Sequence, residues 1–351
     1  MRIAQIAPLT ESVPPRLYGG TERVVSFLTE ELVAMGHDVT LFASGDSSTS
    51  ATLEAMHPVA LRFDVGLRDT VAPHMLMVEQ IARRADEFDV LHSHLDYWPF
   101  SVLSRIGRPF LTTLHGRLDL PELAPVYDCF DRVPLVSISD AQRRPLPKAN
   151  FIATVHHGLP AELLAPLPSR RPGYLAFLGR ICPEKCPDRA IRIARRTGMP
   201  LKMAAKVDRV DQEYHDTLIR PQIDGRQVEH VGEISDAEKS DFLSGAAALL
   251  LPIDWPEPFG LVMIEAMACG VPVIAYNAGS VSEIVEDGVT GFIVADEDAA
   301  CGAVRRLGQL SRQRIRARFE ARFTARRMAE DYVALYRRLA VKSRPMLRVV
   351  T

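Results

Sequence analysis

Two glutamates eight residues apart, Glu257 and Glu265, stand in the segment Trp255-Pro-Glu-Pro-Phe-Gly-Leu-Val-Met-Ile-Glu-Ala-Met-Ala-Cys-Gly-Val-Pro-Val-Ile-Ala275. Glu257 falls in a Pro-rich loop just before a predicted helix. Glu265 falls nearly two turns inside it, among Val262, Ile264, Ala266 and Met267. A carboxylate in such company is partly desolvated and costly unless something satisfies it. The two hydroxyls of a ribose diol can do so by donating to both carboxylate oxygens, and Glu257 can receive sugar hydroxyls in the same way. The backbone N–H groups of Phe259, Gly260 and Leu261 open the helix and suit phosphate oxygens. The competing reading is a core helix with one snorkelling glutamate. For both glutamates together, in a Pro- and Gly-framed context, the ligand reading is preferred.

Other stretches carry compatible chemistry. Arg180 and Lys185 flank the Pro-containing loop Ile181-Cys-Pro-Glu-Lys185 after an apolar run, and two cations there can neutralise a diphosphate leaving group in place of a metal. A solvated basic loop is the alternative. Tyr18-Gly19-Gly20-Thr21-Glu22 precedes a helix, and a Gly-Gly pair permits close backbone approach to a diphosphate, although a simple turn has the same composition. No G-x-G-x-x-G and no G-x-x-x-x-G-K occurs, which argues against dinucleotide-oxidoreductase and P-loop readings. His115 ends a strand-like run, at the edge where ligands bind in doubly wound sheets. His92 and His94 form an i,i+2 pair on one face of another strand. Metal binding there lacks a third ligand, and a wall of an acceptor pocket is the preferred role for His94. Cys182 and Cys186 make a lone C-x₃-C pair without neighbouring His or Cys, a poor zinc site. Asp296-Glu297-Asp298 precedes a helix-like segment and reads as helix-start acids rather than as a metal triad.

The elements that must hold these residues follow from the hydrophobic pattern. Ile3–Pro8, Val39–Ala43, Val90–His94, Phe110–His115 and Leu135–Ser139 read as short buried strands, with a helix over Thr21–Met35 and Gly36 as its C′ residue. The stiff connector Ala165-Pro-Leu-Pro-Ser-Arg-Arg-Pro172 follows. Alternation then restarts with strands at Leu175–Gly179, Leu201–Ala205, Val228–Val231, Ala246–Pro252, Val271–Ala275 and Phe292–Ala295, and helices at Asp188–Thr197 and about Gly260–Ala268. Buried strands alternating with helices predict an α/β chain of two doubly wound parallel-sheet domains with a cleft between them.

The run from Glu257 through Glu265 to Ala275 resembles the E-x₇-E motif of the family-4 retaining glycosyltransferases, and the Gly19–Gly20, His115 and Arg180/Lys185 stretches are similar to further motifs of that family. The resemblance extends over nearly the whole chain. It implies a GT-B fold, two facing Rossmann-like domains with the last helix crossing back to the first. That places an acceptor-side domain at 1–168 with the helix 324–340, and a nucleotide-sugar-binding domain at 173–322. It implies that Glu257 contacts the donor sugar and Glu265 the nucleotide ribose, that Arg180 and Lys185 bind the donor phosphates, that Gly19 and Gly20 face the donor, that His115 lies beside its sugar and diphosphate, and that Glu283 is near the donor site. The family usually has glycine after the lysine. Here the residue is Cys186, which bears on the loop's backbone shape and not on its charges.

The activity so implied is metal-independent, retaining transfer of a sugar from a nucleotide-diphosphate sugar to an acceptor hydroxyl, with no cofactor and no metal expected. A sugar epimerase or phosphorylase on the same scaffold, or a non-catalytic nucleotide-sugar-binding protein, are the alternatives. The formal net charge of −2 over 351 residues argues against a nucleic-acid binder. Five scattered cysteines fit a reducing cytosol, and no apolar run approaches the roughly 18 residues of a membrane span. Charge is uneven, however. Residues 302–351 carry 14 Lys/Arg against 3 Asp/Glu, leaving 28 against 41 in the rest. The apolar spacing of 328, 332, 335, 336 and 339 predicts a helix packed on one face. The Arg-rich stretch 305–327 is either the solvated side of the preceding helices or a contact with an anionic membrane surface, should the acceptor be lipid-linked.

Overall fold

In a computed structural model the chain is described over residues 1–16 and 19–342. Tyr18 of the Gly-Gly motif lies outside the described residues. The chain divides into two units, Met1–Gly158 with Ala325–Thr351, and Leu159–Thr324.

Among the described residues, the first unit holds seven parallel strands: β1 (Arg2–Ile6), β2 (Asp38–Ser44), β3 (Thr52–His57), β4 (Val90–Ser93), β5 (Phe110–Thr113), β6 (Leu135–Ser137) and β7 (Phe151–Thr154), in the order β3-β2-β1-β4-β5-β6-β7. The central strands are buried on both faces, as in Ile3, Ala4 and Ile6 of β1, which is why they read as apolar runs. Each Leu, Ile or Phe so buried contributes about 1.5–3 kcal/mol. β3 and β7 are absent from the sequence reading. Both are edge strands whose residues stay partly exposed; β3 has no continuous apolar run, and that of β7, Phe151-Ile-Ala153, is only three residues long. The helix Gly20–Ala34 ends as expected, with Gly36 in the left-handed region at φ 79°. The helix Val71–Arg83 lies between β3 and β4 in the chain and buries His74, Met77, Val78 and Ile81. The last helix, Ala325–Lys342, packs in this first unit, burying Met328, Tyr332, Val333, Leu335 and Tyr336.

The second unit holds β8 (Tyr174–Arg180), β9 (Leu201–Lys206), β10 (Val228–Gly232), β11 (Ala246–Leu251), β12 (Val273–Tyr276) and β13 (Gly291–Val294), all parallel in the order β10-β9-β8-β11-β12-β13. In each unit the strand order reverses once, between β1 and β4 and between β8 and β11. Chains leaving the C-terminal ends of such a strand pair diverge to opposite faces and leave a crevice for ligands.

The Arg-rich stretch departs from the expectation of a simply solvated face. Arg312 donates to the carbonyls of Ser244 and Ala246, Arg316 to those of Ala161, Leu164 and Ala268, and Arg322 to that of Glu283. Arg322 and Arg318 also pair with Glu286. These guanidiniums terminate loops and helix ends inside the second unit.

Candidate active site

In the second unit the loop after β8 and the loop after β11 start from neighbouring strand ends, so Lys185 and Glu257 meet although 72 residues separate them. The Lys185 ammonium donates to Glu257 Oε2, which also accepts the indole N–H of Trp255 at 3.2 Å. The Lys185 nitrogen sits 4.8 Å from the centre of the Trp255 ring. Glu257 is 8% exposed, so its charge needs such a partner. Its backbone is braced in turn: Glu257 O accepts from Ser280 N at 2.9 Å, and Ser280 Oγ donates to Phe259 O at 2.8 Å. Gly279 lies flat on this loop at φ 58°, and a Cβ there would meet Glu257 N and O at 2.3 Å. Gly260 begins the helix Leu261–Ala268 at φ 78°, where a Cβ would strike Met263 and crowd Glu257. Phe259 is buried, its ring 6.4 Å from that of Phe323. Glu283 stands on the short helix Val281–Ile284, just beyond the Gly279 brace.

Glu265 is 1% exposed and its Oε1 accepts from Lys239 Nζ at 2.8 Å, a lysine also paired with Asp236 at 2.9 Å. Lys239 comes from the helix Asp236–Ser244, whose start is tied by Ser235 N donating to Glu238 at 2.8 Å. Nothing local in the sequence marks Lys239 as the partner of a buried carboxylate. Arg180, at the end of β8, faces Glu184 at 3.7 Å, Asp208 at 3.4 Å and Asp211 at 3.7 Å, and Lys206 pairs with Asp208 at 2.9 Å. Cys186 adopts the conformation that glycine favours, φ 49° and ψ 52°, at the start of the helix Pro187–Thr197. Its thiol donates to Pro183 O at 3.0 Å and is pushed up to about 11 by burial. The substitution therefore keeps the left-handed turn. Asp296 caps its helix by accepting from Ala299 N at 2.8 Å, Glu297 pairs with Arg192 at 2.7 Å, and Asp298 pairs with Arg196. This is the structural role expected of that triad.

In the first unit Gly19 precedes the helix Gly20–Ala34, and a Cβ there would strike the Pro15 ring at 2.8 Å. Glu22 in the first turn is 6% exposed, and its carboxyl is pushed up to about 7, by burial above all and also by Glu11. His115 leaves the C-terminal end of β5, and His94 that of β4. His94, expected on a pocket wall, is instead 3% exposed with both ring nitrogens occupied, Nε2 by Gln5 Oε1 at 2.9 Å and Nδ1 by His115 Nε2 at 2.8 Å. β1 and β4 pair in register, which sets Gln5 beside His92 and buries the whole group. His92 Nδ1 meets Tyr336 OH at 2.7 Å and Nε2 meets Thr113 Oγ1 at 2.7 Å, which meets Tyr332 OH at 2.8 Å. His157 stacks on His115 with centroids 5.2 Å apart. Burial holds His92, His94 and His157 well below the usual histidine range and His115 down to about 3. Gln5 and His157 have no local sequence signal, and Tyr332 and Tyr336 show only as the packed face of the last helix. They are brought in by strand register and by the last helix.

Comparison with known proteins places this arrangement. The family described as Glycosyltransferase Family 4 matches residues 18–139, and that described as Glycosyl transferases group 1 matches residues 165–323. The D-inositol 3-phosphate glycosyltransferase of Frankia alni is 29% identical over 347 residues, covering 80% of this chain and 83% of that protein. Among solved structures, sucrose-phosphate synthase from Thermosynechococcus elongatus superposes with a TM-score of 0.79 at 21% identity, covering 97% of this chain and 99% of the other. Anabaena HepE in complex with UDP-glucose does so with a TM-score of 0.73 at 17% identity, covering 96% of this chain and 100% of the other. The two family matches fall one in each unit and together span most of the chain, the folds agree over nearly its whole length, and the chain belongs to the family-4 glycosyltransferases, with their GT-B fold.

Proposed function

We propose that the protein transfers a sugar from a nucleotide-diphosphate sugar to an acceptor hydroxyl with retention of anomeric configuration and without a metal. The observation that carries this reading is the pair of carboxylates, Glu257 and Glu265, each matched to a lysine at the strand-order reversal of the second unit. Glu265 takes the ribose hydroxyls and Glu257 the sugar hydroxyls. Lys185 and Arg180 take the diphosphate, the developing anion of the leaving group, and Phe259–Leu261 N–H groups at the helix start add to its binding. In the first unit, Gly19–Gly20 offers backbone to phosphate, and His115 Nδ1, buried with no hydrogen-bond partner among the described residues, offers an acceptor for a sugar hydroxyl. Glu283 supports the donor side.

The reaction forms the bond between the acceptor oxygen and the anomeric carbon as the bond from that carbon to the phosphate oxygen breaks. Attack comes from the face the leaving group departs, and the acceptor's proton passes to the departing phosphate oxygen. Most of the rate then comes from charge stabilisation and positioning. UDP is the nucleotide to test first, because HepE is known with UDP and with UDP-glucose.

A thermal-shift screen of UDP, GDP, ADP and dTDP sugars tests donor binding. A ligand at 100 times its Kd should stabilise by about 2.7 kcal/mol. Proton NMR of the product reports anomeric configuration, and an inverted product rejects the mechanism. Activity abolished by EDTA and restored by Mn²⁺ rejects metal independence. Donor turnover without acceptor would favour the epimerase or phosphorylase reading instead.

A further inference from the structure

The geometry points to Gln5, held by Tyr336 of the last helix, as a positioning residue that fixes which nitrogen of His115 is free to accept a hydrogen bond. This rests on the reading of His115 as a contact for the donor sugar. One chain of hydrogen bonds within the first unit sets this polarity. Gln5 Nε2 lies 3.1 Å from Tyr336 OH and 3.4 Å from His92 Nδ1, and Gln5 Oε1 lies 2.9 Å from His94 Nε2. An amide oxygen only accepts, so His94 Nε2 donates. A neutral imidazole has one N–H, so His94 Nδ1 accepts. Its partner at 2.8 Å, His115 Nε2, must then donate. His115 Nδ1 is left as a buried lone pair with no protein partner among the described residues.

The opposite polarity is also a closed chain of bonds, but it requires the Gln5 amide turned over. That would leave His115 Nδ1 as a buried N–H without a partner, a rarer and costlier state than an unmet acceptor. The polarity set by Gln5 is the one suited to a sugar hydroxyl.

The rings also have to stay neutral for this to work. His115 meets His94, just beyond β4, and His157, beyond β7; His92 of β4 lies against Tyr332 and Tyr336 of the last helix, and His156, Arg327 and Asp331 stand beside His157. Arg327 donates to the carbonyls of His156 and His157 at 2.5 and 3.2 Å and pairs with Asp331 at 2.6 Å. The Arg327 cation acts on His157, which stacks on His115, and together with burial it opposes an imidazolium. The last helix thus holds both ends of the array, Tyr336 and Tyr332 at one end and Arg327 at the other.

The test uses the full chain. A ¹⁵N–¹H correlation of the histidine rings in the ligand-free protein, assigned with His115→Asn, is expected to show His115 protonated at Nε2 and bare at Nδ1. Protonation at Nδ1 overturns the proposal. Gln5→Glu still accepts from His94 but sets an anion 2.9 Å from that ring, so it is expected to let the array take a proton. Its kcat should fall about tenfold as pH is lowered from about 8 to about 5, the loss of one neutral hydrogen bond, with UDP affinity unchanged and the native enzyme flat over that range. A folded Gln5→Glu enzyme with native rate and a flat profile overturns the proposal. Should that variant fail to fold, Tyr336→Phe is expected to mix the two His115 tautomers in the same spectrum, and unchanged His115 signals there overturn it. A native protein that binds no nucleotide sugar would refute the donor reading while leaving the tautomer result to stand by itself.

Discussion

Replacing Lys185 and replacing Glu257 should move the affinity for UDP in opposite directions. In the ligand-free protein the two side chains neutralise each other, with the lysine and glutamate side chains 21% and 10% exposed. A diphosphate must take Lys185 from Glu257. Lys185→Met keeps the stem against Trp255 and removes the charge. One charge-assisted hydrogen bond is worth about 1.5–3 kcal/mol, so UDP should bind roughly 10- to 150-fold more weakly. Transfer should slow by about 10²–10³, the range for loss of one group that stabilises a developing anion. Glu257→Gln keeps the shape and frees the lysine. A partly screened pair contributes about 1 kcal/mol, so UDP should bind about fivefold more tightly while sugar transfer falls. Calorimetry with UDP alone separates this from turnover, and melting curves confirm that both variants are folded. If Glu257→Gln weakens UDP as much as Lys185→Met does, the exchange argument fails. If Lys185→Met retains native affinity and rate, Lys185 does not hold the diphosphate.

Gly279→Ala should cost about 2–5 kcal/mol, from overpacking against the Glu257 backbone and from φ 58°. Gly288→Ala, at φ 70° in open space, should cost only about 1–2 kcal/mol, and equal melting shifts for the two would dismiss the brace. Cys186→Gly should stay within about 1 kcal/mol of the native protein, because relief of the left-handed strain offsets the lost packing, with transfer intact. Cys186→Val should lose more than about 2 kcal/mol, since branched residues resist that conformation. Glu22 has a folded value near 7 against an ordinary 4.5, so the native state holds its proton more tightly than the unfolded chain and loses stability as pH rises from 4.5 to 7. Glu22→Gln should therefore melt at a higher temperature than the native protein above pH 7, by up to about 3 kcal/mol of stability, with the gap closing below pH 4.5. A pH-independent gap would reject the buried-proton account.

The parts of the fold legible in the sequence are those whose residues must be apolar on both faces. Central strands such as β1, β5 and β11 show as continuous runs because helices cover the sheet on either side. β3, with Thr52, Glu54 and His57 partly exposed at the sheet edge, carries no such run, and pairing with β2 supplies what its own pattern does not. Among the candidate site residues, Glu257 and Glu265 announce themselves because a carboxylate in a Pro/Gly-framed apolar context is costly without a purpose, whereas Arg180, Lys185 and His115 stand out only through the family resemblance. Their partners do not. Lys239 sits on a helix that looks merely solvated, and Tyr336 is 331 residues from the Gln5 it touches. Cys186 shows the limit from the other side, since residue type alone leaves a turn's conformation open and only the backbone shows that the left-handed shape is kept. His94 shows a further limit, because a strand-end histidine reads the same whether it faces a ligand or supports the histidine that does.

The charge arrangement of the second unit separates two kinds of carboxylate. A carboxylate as buried as Glu265 is tolerable only as part of a pair, and Lys239 provides that without lying on the loop that carries Lys185. Glu265 can then accept hydroxyls while its ion pair persists, so ribose binding need not break it. Glu257 differs, because its lysine is the one the diphosphate would claim, and Arg180 is likewise held by Glu184, Asp208 and Asp211 before any ligand arrives. If Lys185 and Arg180 take the donor phosphates, binding there exchanges one set of ion pairs for another. The net gain from each phosphate contact is its own strength less that of the ion pair it replaces. Hydroxyl contacts of Glu265 would add to affinity without displacing Lys239.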